Sequence, residues 1–152
     1  MRSITALSIA AVFAFIGAPA HADTKRATKD EAQAMVKKAV AHYKSAGRDK
    51  ALSDFSNKSG AFVAGDLYVF VSDFNGRNLA HGVNEKLIGK DLIALKDADG
   101  KSFVQEYVER AKSGKSGWTD YKWPNPVTKE IEAKTTYCEP VDTVAVCAGV
   151  YK

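Results

Sequence analysis

Two cysteines, Cys138 and Cys147, with Glu-Pro-Val-Asp-Thr-Val-Ala-Val between them, restrict the fold more than any other stretch. A two-residue turn at Asp142-Thr143 would pair Val141 with Val144, Pro140 with Ala145, Glu139 with Val146 and Cys138 with Cys147. Antiparallel pairs alternate between hydrogen-bonded and non-hydrogen-bonded positions. In this register Pro140 and Cys138 both fall on non-hydrogen-bonded positions, where side chains lie closest. Proline has no N–H to give and loses no bond there. The same register brings the two sulfurs within bridging reach. The expectation is a C-terminal hairpin closed by a Cys138–Cys147 disulfide, with two free thiols as the alternative.

A disulfide persists in an oxidising compartment, and the N-terminus supplies a route to one. Arg2 gives a short positive start, Ile4 to Ile16 is an apolar run, and Ala20-His21-Ala22 fits a signal peptidase site. A run of thirteen residues is short of the roughly twenty that span a bilayer. Residues 1–22 therefore read as a cleaved secretory signal, with a retained membrane anchor as the alternative. Cleavage would leave residues 23–152 as one domain in the periplasm. Arg2 leaves with the signal, so the remainder carries 21 Lys and Arg against 18 Asp and Glu. That mild excess is spread along the chain and forms no basic block, so nucleic acid is not an expected partner.

Thr28-Lys29-Asp30-Glu31 has the form of a capping box. Ala32, Met35, Val36, Ala39, Val40 and Tyr43 then recur at helical spacing, and Gly47 is a stop signal. A short second helix is expected over Asp49 to Ser56. "LYVFVSDF", Leu67 to Phe74, reads as a strand, Asn75-Gly76 as a hairpin turn, and "RNLAHGV" as the return strand. A mixed connection with a helical turn around Leu92 leads to a helix carrying Phe103, Val104, Tyr107, Val108 and Ala111. Strands at about 117–123, 130–138 and 144–151 complete the chain. This order predicts an α+β domain with a five-stranded antiparallel sheet. The long N-terminal helix should pack on one face, and the crossover elements should leave a cavity on the other.

Few motifs suggest catalysis. Asp97-Ala98-Asp99-Gly100 resembles part of a calcium loop, but Leu95 would stand at the first ligand position. A turn followed by a helix start explains it better. His21, His42 and His81 share no metal-ligand spacing. A haem attachment motif, a nucleophile elbow and a phosphate loop are all missing. What remains is a group of amphipathic side chains. Tyr68, Phe70 and Ser72 share one strand face, as do Thr119, Tyr121 and Trp123. His81 lies on the return strand and Lys134 on the fourth strand. Aromatic walls with imidazole and ammonium donors suit a small carboxylate, while an aromatic core with a surface lysine would use the same residues.

Three stretches also resemble a known family. "DLYVFVSDFNGRNLAHGVNEKLIGKDLIALKDADGKSFV" is similar to the first half of a single Cache domain of type 2. "GWTDYKWPNP" and "AKTTYCEPVDTVAVCAGVYK" are similar to the second half. Such domains are extracytoplasmic sensor modules of bacterial chemoreceptors and histidine kinases. The resemblance covers roughly residues 30–152. It implies a PAS-like fold and a pocket for small organic ligands, often short carboxylates, on the sheet face away from the long helix. It implies Tyr68, Phe70, His81, Tyr121, Trp123, Lys134 and Tyr137 as pocket positions. Tyr137 has the opposite parity to Lys134 and reaches the pocket only if the strand bulges between them.

The expected function is binding of a small organic acid without converting it, with no cofactor. Receptor members of the family continue into a membrane helix and a signalling domain, whereas this sequence ends at Lys152. The expectation is thus a sensor with no output domain of its own, docking on a membrane sensor kinase or chemoreceptor. The alternatives are an interaction module whose cavity is filled by its own side chains, and a small enzyme using His81 as a general base.

Overall fold

The computed structural model describes residues 25–152. The expected signal segment therefore lies outside the described residues. Among the described residues, no helix is long and apolar enough to cross a membrane.

Helix α1, Lys29–Ala46, starts at the capping box. The Glu31 N–H donates to Thr28 Oγ1 at 3.2 Å, and the Thr28 N–H donates to Glu31 Oε2 at 2.7 Å. Gly47, at φ 84°, ends it and leads directly into α2, Arg48–Phe55. Strand β1, Val63–Ala64, is a two-residue element with no sequence signal. β2, Leu67–Asp73, and β3, Asn78–His81, form the first hairpin. A 3₁₀ turn at Glu85–Leu87, a long loop and helix α3, Phe103–Lys112, follow. β4, Gly117–Pro124, β5, Ile131–Val141, and β6, Val144–Tyr151, close the chain.

The sheet order is β1-β2-β6-β5-β4, with β3 also on β2, and every pairing is antiparallel. The five longer strands are the five expected. The C-terminal hairpin has the expected register, with Val141 opposite Val144, Pro140 opposite Ala145 and Cys138 opposite Cys147. The cysteines are disulfide-bonded with their Cα atoms 4.2 Å apart, the close spacing of a non-hydrogen-bonded pair.

Two local expectations change. The first hairpin does not turn on Asn75-Gly76 alone. Asp73 Oδ1 accepts from the N–H groups of Asn75 and Arg77, both at 2.9 Å. The Asp73 N–H reaches the Arg77 carbonyl, so the loop holds Phe74, Asn75 and Gly76, with Gly76 at φ 87°. A Cβ on Gly76 would lie 2.7 Å from Ile93 Cβ. That close approach lets the loop after the 3₁₀ turn fold over the hairpin. The helical turn lies at Glu85–Leu87 rather than around Leu92, because the Asn84 side chain caps it by accepting from the Lys86 N–H at 3.2 Å.

Strand parity divides the core into two layers. Leu67, Val69 and Val71 of β2, Val144, Val146, Ala148 and Val150 of β6, and Tyr137 and Val141 of β5 face α1 and α2. Tyr68 and Phe70, Tyr121, Cys138, Ala145 and Cys147 face α3.

Candidate functional site

The α3 side carries the candidate site. Its side chains come from β2, β3, β4 and β5, at alternate positions except in β3, and from α3 itself. Phe103 stacks on Tyr121 at 4.2 Å between ring centroids and meets Trp123 edge-on at 5.5 Å. His81 stands against Tyr68 at 4.9 Å and against Phe70 at 5.9 Å. These groups, with Asn78, Leu87, Leu92, Val104 and Tyr107, enclose a cavity of about 20 Å³, room for about one water molecule. An outer cleft of about 240 Å³ adjoins it, bordered by Tyr68, His81, Trp123, Asn125 and Lys129.

Lys134 is buried, at 1 % exposure. Its place depends on Gly149 across the β5–β6 ladder, where a Cβ would lie 2.7 Å from Lys134 Cε and 2.2 Å from Thr136 Oγ1. The missing side chain lets the lysine stem cross β6. Lys134 Nζ then donates to Tyr68 Oη at 2.8 Å and to Tyr151 Oη at 3.5 Å. It lies 4.1 Å from the Tyr68 ring centroid and 4.8 Å from that of Tyr151. No carboxylate pairs with it among the described residues. Burial lowers its pKa to about 7, with Asp66 pulling weakly the other way. Lys134 is not part of the cavity wall; the Tyr68 phenol is, with the ammonium on its oxygen.

The hydroxyl order follows from the donors. Tyr151 Oη donates to the Pro124 carbonyl at 2.7 Å. Tyr68 Oη accepts from Lys134, so its own proton is left for Tyr151 Oη, 3.4 Å away, or for the cavity. Burial raises the pKa of Tyr68 well above its ordinary value, so the phenol stays protonated and able to donate.

His81 is neutral. Its Nδ1 accepts from the N–H groups of Val83 at 3.3 Å and Asn84 at 3.0 Å, which leaves the ring proton on Nε2. Burial, and secondarily the Lys134 charge, hold its pKa down to about 3.

The structure brings together Tyr68, Phe70, His81, Tyr121 and Trp123 around the cavity, with Lys134 beside Tyr68. It does not bring Tyr137 there. β5 pairs with both neighbours without a break from Lys134 to Cys138, so the bulge that Tyr137 requires does not occur. Tyr137 lies on the α1 side against Trp118, with ring centroids 5.2 Å apart, and donates to Glu139 at 3.0 Å.

The bulge lies in the first hairpin instead. Phe70 faces His81 and Val71 faces Ala80, but Ser72 faces Asn78. Leu79 is the extra residue, and it allows Asn78 and His81, three apart, to reach the same cavity. Asn78 is the main wall residue that sequence reasoning missed. Tyr107, an apolar position of α3 in the sequence, lines the cavity with its hydroxyl 3.0 Å from Ser72 Oγ. Asp97, from the calcium-like motif, accepts from the N–H groups of Asp99, Lys101 and Lys122 at 3.0, 2.9 and 2.9 Å. Its carboxylate ties the loop to β4. No group of three or more metal-ligating side chains occurs among the described residues.

Comparison with known proteins agrees with this architecture. The chain is 35% identical over 74 residues to the methyl-accepting chemotaxis protein McpP of Pseudomonas putida, a match covering 49% of this chain and 14% of that protein. It is 34% identical over 88 residues to the sensor histidine kinase MctS of Rhizobium johnstonii, covering 57% and 19%. The matches thus span a fifth or less of these relatives' length. Among solved structures, a methyl-accepting chemotaxis protein from Vibrio parahaemolyticus superposes with a TM-score of 0.69 at 23% identity, over 81% of this chain and 87% of that one. A Cache chemosensory domain solved for the structural basis of its carboxylic acid recognition gives 0.68 at 26% identity, over 80% and 91%. Cache domains are extracytoplasmic sensor domains that bind ligands. The single Cache domain 2 family matches residues 10–151, and the chain belongs to that family.

Proposed function

We propose that this domain is periplasmic and binds a short organic carboxylate on the α3 side of its sheet without converting it. The observation that carries the reading is Lys134. An ammonium buried among three aromatic rings, with no carboxylate partner among the described residues, is costly to desolvate unless an anion answers it. Tyr68 provides the link to the cavity. It accepts from Lys134 and can donate its own O–H to a ligand oxygen, a hydrogen bond that the ammonium behind it strengthens. His81 Nε2–H is a second neutral donor on the same wall. The relative solved for carboxylic acid recognition supports the choice of ligand class. A carboxylate of several heavy atoms needs more room than one water. The half-buried Leu87, Leu92 and Trp123 are the wall residues able to yield. His81 suits a general base poorly, because Nε2 already holds the proton and Nδ1 is occupied by two N–H groups.

A signal sequence over residues 1–22 and a membrane sensor kinase or chemoreceptor as partner complete the proposal. Thermal-shift and calorimetric titration with propionate and with propionamide, its uncharged isostere, tests the binding step. Propionate should bind and stabilise, propionamide should do neither, and the recovered acid should be unchanged. The small cavity favours one other reading, an interaction module filled by its own side chains. That reading gains if no short carboxylate shifts the unfolding temperature.

A further inference from the structure

Asn78 is the polar wall residue that carboxylate binding does not use. It is 1 % exposed, and its Oδ1 has no hydrogen-bond partner. Among the described residues no side chain bonds to either end of its amide. Its backbone is fixed from both sides, with its N–H on the Lys90 carbonyl at 2.9 Å and its carbonyl accepting from Gly89 at 2.7 Å. The side chain therefore cannot leave the wall for solvent without breaking the strand edge. Its cavity neighbours Phe70, Leu87, Leu92 and Val104 have no polar side-chain atoms. The hydroxyl of Ser72, opposite it in the register, and that of Tyr107 are spent on each other. A buried polar group left unpaired destabilises the fold. A leucine or valine would satisfy this position as far as folding is concerned.

The bulge at Leu79 turns this amide inwards, onto the same cavity as His81. Both Tyr68 and Asn78 line this one small cavity. It presents a cation-backed phenol and an amide to the same ligand, with aromatic walls around them. An amide offers both a donor and an acceptor, so it answers a hydroxyl or an oxo oxygen in either orientation. Among the described residues no carboxylate lines the cavity, so a ligand ammonium would find no counter-charge there.

We propose that Asn78 determines specificity: it selects short carboxylates carrying a second oxygen, hydroxyl or oxo, over the unsubstituted acid of the same chain length. The proposal rests on the carboxylate reading. A site built to bond a ligand oxygen discriminates strongly against the analogue lacking it, because the site's polar group is then left unpaired.

Titration calorimetry tests this with propionate, 2-hydroxypropanoate and 2-oxopropanoate, and with butanoate and 3-hydroxybutanoate. The parent protein should bind at least one oxygenated acid about tenfold or more tighter than its unsubstituted counterpart. Comparing the hydroxy and oxo acids tells which oxygen is read. In Asn78→Leu the preference should collapse to within about threefold, with the unsubstituted acid bound at least as tightly as by the parent. Equal affinities within each pair in the parent would overturn the proposal, as would a preference that survives in Asn78→Leu. If that variant does not fold, the ratios in the parent decide alone. If none of the acids binds, the carboxylate reading itself falls and takes this inference with it.

Discussion

The two faces of the sheet are built from the same strands and do opposite work. On the α1 side, Val36, Ala39 and Val40 pack onto Val69, Val71, Val146 and Ala148, with Phe55 and Phe62 edge-on at 4.7 Å. Its orphaned polar atoms, Tyr43 Oη and Thr135 Oγ1, belong to neutral hydroxyls. On the α3 side, one residue along each strand, stand Lys134, His81, Asn78 and a layer of tyrosines. Among the described residues, that side buries an ammonium without an anion and an amide without a partner, and it keeps a cavity. A core chosen for stability alone would not retain these groups. Both layers contribute packing, and the second also carries the disulfide; it alone carries a buried charge and a buried amide, costs that the proposed ligand would offset.

Each variant below strikes one side and should leave the other alone. The largest effect belongs to Phe55→Ala on the helix side. Removing a fully buried phenylalanine should cost about 3–5 kcal/mol in urea unfolding, while carboxylate affinity of the folded protein stays within about twofold. A comparable loss of affinity would mean that the two layers are coupled rather than separate. The disulfide comes next. Replacing Cys138 and Cys147 together by alanine should cost about 2–3 kcal/mol by the loop-closure relation, read as the difference between parent and variant without reductant.

The pH profile sharpens the contrast. Lys134 titrates at about 7 in the folded chain against an ordinary 10.5. Between those values the unfolded chain binds more protons, so this group makes stability rise with pH across that window. Below pH 7 its penalty is complete. Lys134→Met should therefore flatten the profile from pH 7 to 10 and be more stable than the parent at pH 6–7. His81, at about 3 against 6.5, acts with the same sign from pH 3 to 6.5. The depressed carboxyls, such as that of Glu132 beside Arg26, also lose stability as pH falls. His81→Gln should thus remove part of the acid slope and not all of it. A profile unchanged by Lys134→Met would mean that the lysine is not buried as charge. The smallest effect is His81→Gln on binding, a weakening of a few-fold in calorimetry, since an amide can still donate one hydrogen bond.

Strand parity made most of the fold readable in advance. The capping box placed α1, and Pro140 between the cysteines set the register of the last hairpin. The alternation in "LYVFVSDF" and "DYKWP" put Tyr68, Phe70, Tyr121 and Trp123 on one face. Parity fails where a strand gains or lacks an extra residue. A bulge was needed for Tyr137 and did not form, because β5 is paired on both sides and an inserted residue would disrupt two ladders. A bulge did form in β3, whose only strand partner is β2 and whose outer edge is held by loop backbone at Lys90 and Gly89 rather than by a second strand, and it turned Asn78 inwards. The helix face that covers the site is equally silent in sequence. Tyr107 reads as an ordinary apolar position until the sheet opposite it is known.

The central claim is that Lys134, through Tyr68, holds a ligand carboxylate. The most direct test titrates propionate and the best-binding oxygenated acid into the parent protein and into Lys134→Met, which keeps most of the stem and removes the charge. The account predicts a folded variant, at least as stable as the parent at pH 7, that binds each acid about ten- to a hundredfold more weakly. Equal affinity in parent and variant would contradict it and would leave the buried ammonium as a feature of the core alone.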